Sequence, residues 1–240
     1  AGKAGRPSEN IFCIADKQVI RLLSFNRNRK GNRMKQLIDR ISAQLEKLQR
    51  QHPEAAAAYE INLSLNKGAD EADFAELEKE LGYALPEDFK ELYRIADGEV
   101  AYEGVLMGEE WLPIERIIST YEVWKELYED GTFKDDDGTP FDCDPEDVCI
   151  KSDLWWNPKW IPLTSDGCGN EKMIDLDPTE HGTVGQIIQM WHDDPTRSKE
   201  AESLYDFLAR YAQDLEDGKY VLSADYGIIL QSELDELAQD

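Results

Sequence analysis

The chain has 240 residues, 41% of them hydrophobic, with 51 acidic side chains against 26 basic ones and a formal net charge of −25. That apolar content excludes a disordered chain, and a core of this size buries roughly 70–75% of the unfolded surface without disulfide or metal staples. The charge argues against direct nucleic-acid binding, which draws its affinity from Lys and Arg displacing counterions, and no apolar run approaches the ~20 residues of a membrane span. The charge is also split: residues 1–50 carry 12 Lys/Arg and 4 Asp/Glu, the remaining 190 carry 14 and 47.

Residues 1–65 read as a basic N-terminal extension. Its first 30 residues or so are irregular, with a polar stretch at Arg27, Asn28, Arg29, Lys30 and Gly31. Between Asn32 and Gln51, Met34, Leu37, Ile38, Ile41, Leu45 and Leu48 recur at helical spacing, and Pro53 stops the run. The result is one amphipathic helix. Its spacing also suits a short coiled-coil seam, but packing on its own domain is the simpler expectation. Ala55–Ala58 then lead into Ile61, Leu63 and Leu65, which alternate as in a short strand.

A domain spanning 66–222 follows. Asp70 is placed to cap a helix presenting Phe74, Leu77 and Leu81, with Gly82 suited to its left-handed end. A second helix starts at Pro86, carries Glu87 and Asp88 in its first turn, buries Phe89, Leu92 and Ile95, and stops at Gly98. A strand-like segment over Val105–Ile114 precedes a third helix from about Ser119 to Glu129. Residues 131–153 look like an acidic, solvated insertion: Asp135, Asp136, Asp137, Asp142, Asp144, Glu146, Asp147 and Asp153 stand against Lys134 and Lys151. An EF-hand with Gly138 at its sixth position would need an acid where Phe133 stands, so the calcium pattern fails at its first ligand.

The segment from Trp160 through Pro162, Asp166, Gly167, Gly169 and Asn170 to Asp175 reads as strand, glycine turn, strand. Gly182 and Gly185 bracket a further turn, and Gln186–Trp191 form a third strand. A long helix is expected over Ser198–Asp217, closed by Gly218. Residues 223–240 complete the chain as an acidic tail with a short helix over Ser232–Ala238.

The hairpin ending LPEDFKELYRIADGE (Leu85, Pro86, then Gly98 and Glu99), followed by KWIPLTSDGCGNEKMIDLDP (Lys159–Pro178) and GTVGQIIQMWHDD (Gly182–Asp194, with Gly185 and Gln186), resembles the SUKH superfamily over roughly residues 66–220. The resemblance implies an α+β fold with an antiparallel sheet flanked by helices, here with an N-terminal helical extension. It also implies a protein-binding role: an immunity protein neutralising a cognate toxin such as a nuclease, or alternatively a regulatory scaffold of the cell-wall assembly type.

A basic toxin domain is the partner that the charge would attract, since steering raises association rates by about 10 to 1000-fold. Asp135, Asp136, Asp137, Asp142, Asp144, Glu146 and Asp147 would steer it, with Trp155 and Trp156 as aromatic anchors. The two tryptophans are adjacent, so in an extended segment they point to opposite faces, and core packing competes with anchoring.

Catalysis is the weaker reading. G-x-S-x-G is absent, and Gly167, Gly169 and Asn170 alone are too few to cradle phosphate. Asp175, Asp177, His181, His192, Asp193 and Asp194 could in principle build a metal hydrolase. Against this, Asp177 before Pro178 reads as a turn residue, and His192, Asp193, Asp194 and Pro195 read as a solvated strand exit. No cofactor or metal is therefore expected. Cys13, Cys143, Cys149 and Cys168 form no C-x-x-C pair, and reduced thiols in the cytoplasm are the default, with only Cys143 and Cys149 spaced for a local bridge.

Overall fold

The computed structural model describes residues 33–54 and 63–239. The polar stretch Arg27–Gly31, Cys13, and the run Ala55–Ala58 with Ile61 lie outside the described residues. In chain order the elements are α1 (33–51), α2 (Glu71–Leu81), α3 (Glu87–Tyr93), β1 (Glu110–Trp111), α4 (Ile114–Glu129), β2 (Asp144–Pro145), β3 (Trp160–Pro162), β4 (Thr164–Ser165) and β5 (Glu171–Asp175). There follow β6 (Gln186–Met190), β7 (Thr196–Ala201), α5 (Leu204–Glu216), β8 (Tyr220–Ser223), β9 (Gly227–Leu230) and α6 (Gln231–Leu237).

The class is α+β. A five-stranded sheet runs β2-β7-β6-β5-β3, antiparallel except for the parallel β2–β7 pair, and β1–β4 and β8–β9 form two small antiparallel pairs. All five residues of β5 and all five of β6 are buried, as expected of central strands covered on both faces.

Local chemistry sets the helix starts. Asp70 accepts from the backbone of Ala72 and Asp73 while the Asp73 side chain bonds back to Asp70 N, a complete capping box for α2. Ser203 accepts from Asp206 N to start α5. In α1, Met34, Leu37, Ile38, Ile41, Leu45 and Leu48 are all buried in the common core. Arg40 bonds to Glu216 through two nitrogens, and the Arg33 guanidinium lies 4.5 Å from the Tyr205 ring. The amphipathic helix thus packs beside α5 of its own chain.

Several expectations need correction. The long helix begins at Leu204, because the segment expected as its first turn is strand β7, paired to β6 along one edge and β2 along the other. Its sequence, TRSKEA, lacks apolar alternation, and it is a strand only because the sheet completes it. Helix α4 starts at Ile114, directly after Pro113, which leaves only the two-residue β1 of the longer strand expected. The insertion is less solvated than its composition suggests: Cys143, Cys149 and Ile150 are buried, and β2 joins the main sheet. Cys143 and Cys149 are both free thiols. The β8–β9 hairpin, Tyr220 with Leu230 through Ser223 with Gly227, runs across residue 222 into the acidic tail.

Candidate protein-binding surfaces

The motif residues of β3, β5 and β6 converge on a buried polar knot. Trp160 Nε1 donates to Asp175 Oδ1 at 3.1 Å, and the Asp177 amide donates to the same oxygen at 2.8 Å. Gln186 Nε2 donates to Asp175 Oδ2 at 2.9 Å and to the Cys149 carbonyl at 3.2 Å. Gly185 donates its N–H to the Asp175 carbonyl. Burial pushes the Asp175 carboxyl up, while the Asp177, Gln186 and Trp160 donors pull it down. With both oxygens engaged inside the protein, the knot locks the sheet to the insertion.

The other motif residues also shape backbone. Leu85 and Pro162 lie in the interior, and Pro86 stands at the start of α3. Asp166 Oδ1 accepts from the amides of Cys168 and Asn170, closing the turn that Gly167 and Gly169 traverse at positive φ, and Asn170 Oδ1 accepts from the His192 amide. Gly98 has φ +66°, and a Cβ there would stand 2.4 Å from Pro113 N, so both conformation and space require glycine. The set Asp175, Asp177, His181, His192, Asp193 and Asp194 is dispersed: Asp177 pairs with Lys151 at 2.7 Å and His192 with Asn170. Among the described residues no three His, Cys, Asp or Glu side chains group as metal ligands.

The acidic insertion offers one surface. Asp135, Asp136, Asp137, Asp142, Asp144 and Glu146 are exposed, and Asp147 is half-buried with its carboxylate accepting from Lys199 N. Asp135 Oδ1 accepts from the amides of Asp137 and Thr139, which coils the tip on itself. Trp156 gives no anchor here. It is fully buried, stacked on Trp124 with Tyr121 and Tyr128 edge-on, because α4 supplies an aromatic wall that the local sequence does not reveal. Trp155 is half-buried between Phe133 and Arg197.

Arg197 itself has no exposed surface and donates to the carbonyls of Asp194, Thr196 and Trp155 at 2.6–2.9 Å. Burial lowers its pKa to about 10. It staples the insertion to β7.

A second surface is assembled from three turns and was not anticipated. Residues 102–110, 165–167 and 224–227 enclose a cleft of about 320 Å3. Four carboxylates line it, Glu103, Glu110, Asp166 and Asp225, and Glu110 lies 3.5 Å from Arg116. Tyr102 (73% exposed) and Tyr226 (54% exposed) supply aromatic surface. Its floor is held by Glu99, a buried carboxylate that accepts from the amides of Glu103, Gly104, Val105 and Trp111 at 2.5–3.1 Å. Burial pushes Glu99 up while those four donors pull it down.

That loop is tightly constrained. Met107 adopts φ +60°, an uncommon left-handed conformation for a non-glycine residue, and a Cβ on Gly108 would stand 2.7 Å from the Ile228 carbonyl of β9. Tyr211 of α5 donates to the Val105 carbonyl at 2.7 Å. The sequence signal for this surface is the Asp225-Tyr226-Gly227 turn between the apolar runs Tyr220–Leu222 and Ile228–Leu230.

Comparison with known proteins adds the following. A family model described as the SMI1/KNR4 family (SUKH-1) matches residues 68–210. A Schizosaccharomyces pombe protein named cell wall biosynthesis/cell cycle regulator smi1 is 35% identical over 175 residues, covering 70% of this chain and 35% of the relative. The Saccharomyces cerevisiae cell wall assembly regulator SMI1 is 24% identical over 196 residues, 69% of this chain and 39% of the relative. A glucan synthesis regulatory protein of Neurospora crassa is 26% identical over 191 residues, 67% and 36% respectively. The chain spans little more than a third of the length of these relatives.

Proposed function

This chain belongs to the SMI1/KNR4 family (SUKH-1), and from that premise we propose that it is a non-catalytic, protein-binding domain of a cell-wall assembly regulator. The observation that carries the reading is the similarity to proteins named as regulators, which extends over more than two thirds of this chain. It displaces the toxin-immunity expectation: the named relatives favour a regulatory scaffold over a toxin inhibitor. The physics of the surface is compatible with occupancy rather than turnover, because its carboxylates stand at exposed turns where they attract and orient a partner. No helix among the described residues is long and apolar enough to cross a membrane. The proposed site of action is the cytoplasm, in keeping with the free thiols of Cys143 and Cys149.

Deleting the gene in the producing organism tests the reading. Sensitivity to wall-digesting enzymes should change, while survival on challenge with secreted toxins of competing strains stays the same. Intact wall tolerance together with acquired toxin sensitivity would restore the immunity reading.

A further inference from the structure

Val148 is the most exposed large apolar side chain among the described residues, at 79%. It stands over a groove of about 590 Å3 in the insertion, where Pro145 and Ile150 are the other apolar lining and Glu146, Asp147 and Asp153 carry charge. That volume falls within the ~300–1,000 Å3 of ordinary binding sites. Lys151 also lines the groove and is paired with Asp177 at 2.7 Å.

The groove lies near the point where α1 begins. Asp147 in its wall accepts from Lys199 N of β7 at 2.9 Å, and Arg33 at the head of α1 lies 4.5 Å from the Tyr205 ring of α5. Lys199 and Tyr205 are six residues apart, a span of at most about 22 Å, while residues 26–32 reach about 25 Å when extended. Beyond that polar link, eight of the fifteen residues 11–25 are Ile, Leu, Val or Phe, side chains that water solvates poorly. Residues 1–32 carry seven basic side chains and two acidic ones, opposite in sign to the groove. A tether this short holds the segment at an effective concentration on the order of millimolar, an advantage no separate protein shares.

We propose that the groove is covered by residues 11–25 of the same chain, their apolar side chains packed on Pro145, Val148 and Ile150, with Lys17 and Arg21 beside Glu146 and Asp153. Another protein reaches this face of the insertion only when the segment leaves.

The test uses the full chain. Trypsin should cut after Lys17 and Arg21 at least about tenfold more slowly than in a synthetic peptide of residues 1–32, while cuts after Arg27 and Arg29 keep the peptide's rate. Val148→Asn should abolish that protection, and because the side chain is exposed, unchanged circular dichroism would establish that the variant folds. In a Cys168→Ser background, Val148→Cys should form a disulfide with Cys13 under mild oxidation at least about tenfold faster than Val123→Cys on α4, which is 56% exposed. The Cys168→Ser parent is the blank for the buried thiols Cys143 and Cys149.

Equal cutting of chain and peptide, protection indifferent to Val148→Asn, or equal disulfide formation at the two positions would each overturn the proposal. Protection that grows with protein concentration, with disulfides between chains, would overturn it by assigning the groove to a second copy. None of these outcomes depends on the regulatory reading, which the gene deletion tests separately.

Discussion

The acidic insertion and the three-turn cleft carry charge of the same sign on scaffolds of different origin. In the insertion the carboxylates are neighbours in the chain, and its tip is held by turns of a few residues around Asp135. In the cleft Glu103 and Asp225 are more than a hundred residues apart, brought together by a buried carboxylate, a strained loop and a backbone contact between Gly108 and Ile228. Exposed charges on a locally coiled loop are well solvated and screened within roughly a Debye length, about 8 Å at physiological salt. Charges in a concave wall are less screened and have fixed directions. The first arrangement projects charge into solvent, and the second gathers it around a cleft.

The largest expected way to break the contrast is Glu99→Ala. It leaves four backbone N–H groups beneath the cleft without their acceptor, a loss on the order of 4 kcal/mol. Denaturant unfolding should register it, and exchange of the Gly104 and Val105 amides should accelerate while the tip around Asp135 stays unchanged.

Next comes the pH response of Glu171, which stands between the two regions. Burial pushes its carboxyl up to about 8; Trp124, which stacks on Phe133 of the insertion, pulls it down, and Asp166 of the cleft turn raises it further. Between its ordinary value near 4.5 and about 8 the folded protein keeps a proton that the unfolded chain has released. This stability is fully present below the lower value and lost as pH rises through the upper one. Glu171→Gln should therefore flatten the decline in stability between pH 5 and 8 by about 3 kcal/mol, measured as unfolding midpoints across that range.

Arg197→Met should act on the insertion alone. Three carbonyls lose their donor, but the burial that lowers the Arg197 pKa is relieved at the same time, so the net loss is about 2 kcal/mol. Limited proteolysis within residues 135–147 should rise before the cleft opens. The smallest effect is expected from Asp135, Asp136 and Asp137 changed together to Asn. Stability should move by less than about 0.5 kcal/mol, with any loss of partner association confined to low-salt on-rates.

Much of the molecule was legible from local rules. The capping of α2 by Asp70, the start of α3 after Pro86, the buried stripe of α1 and the strands flanking the Asp166 turn follow from caps and periodicity within a dozen residues. Strand β7 was hidden because its one buried residue is Arg197 and the others, apart from Ala201, are polar or charged, so neither strand alternation nor helix periodicity describes it. Trp156 was ambiguous for a related reason. An extended segment sends neighbouring tryptophans in opposite directions, and which one faces the core depends on where α4 lies.

The amino-acid sequence by itself determined the apolar faces, the turns and the acidic character of the body, because each of these rests on short-range stereochemistry or on composition, while the α+β class came through the resemblance of its motifs to a family. The tertiary structure alone decided which carboxylates stand together, that Arg197 is a staple and that Glu99 lies beneath a cleft. Burial and concavity come from segments distant in the chain meeting in space, and the properties of an ionisable group follow the dielectric and donors around it rather than its neighbours in sequence.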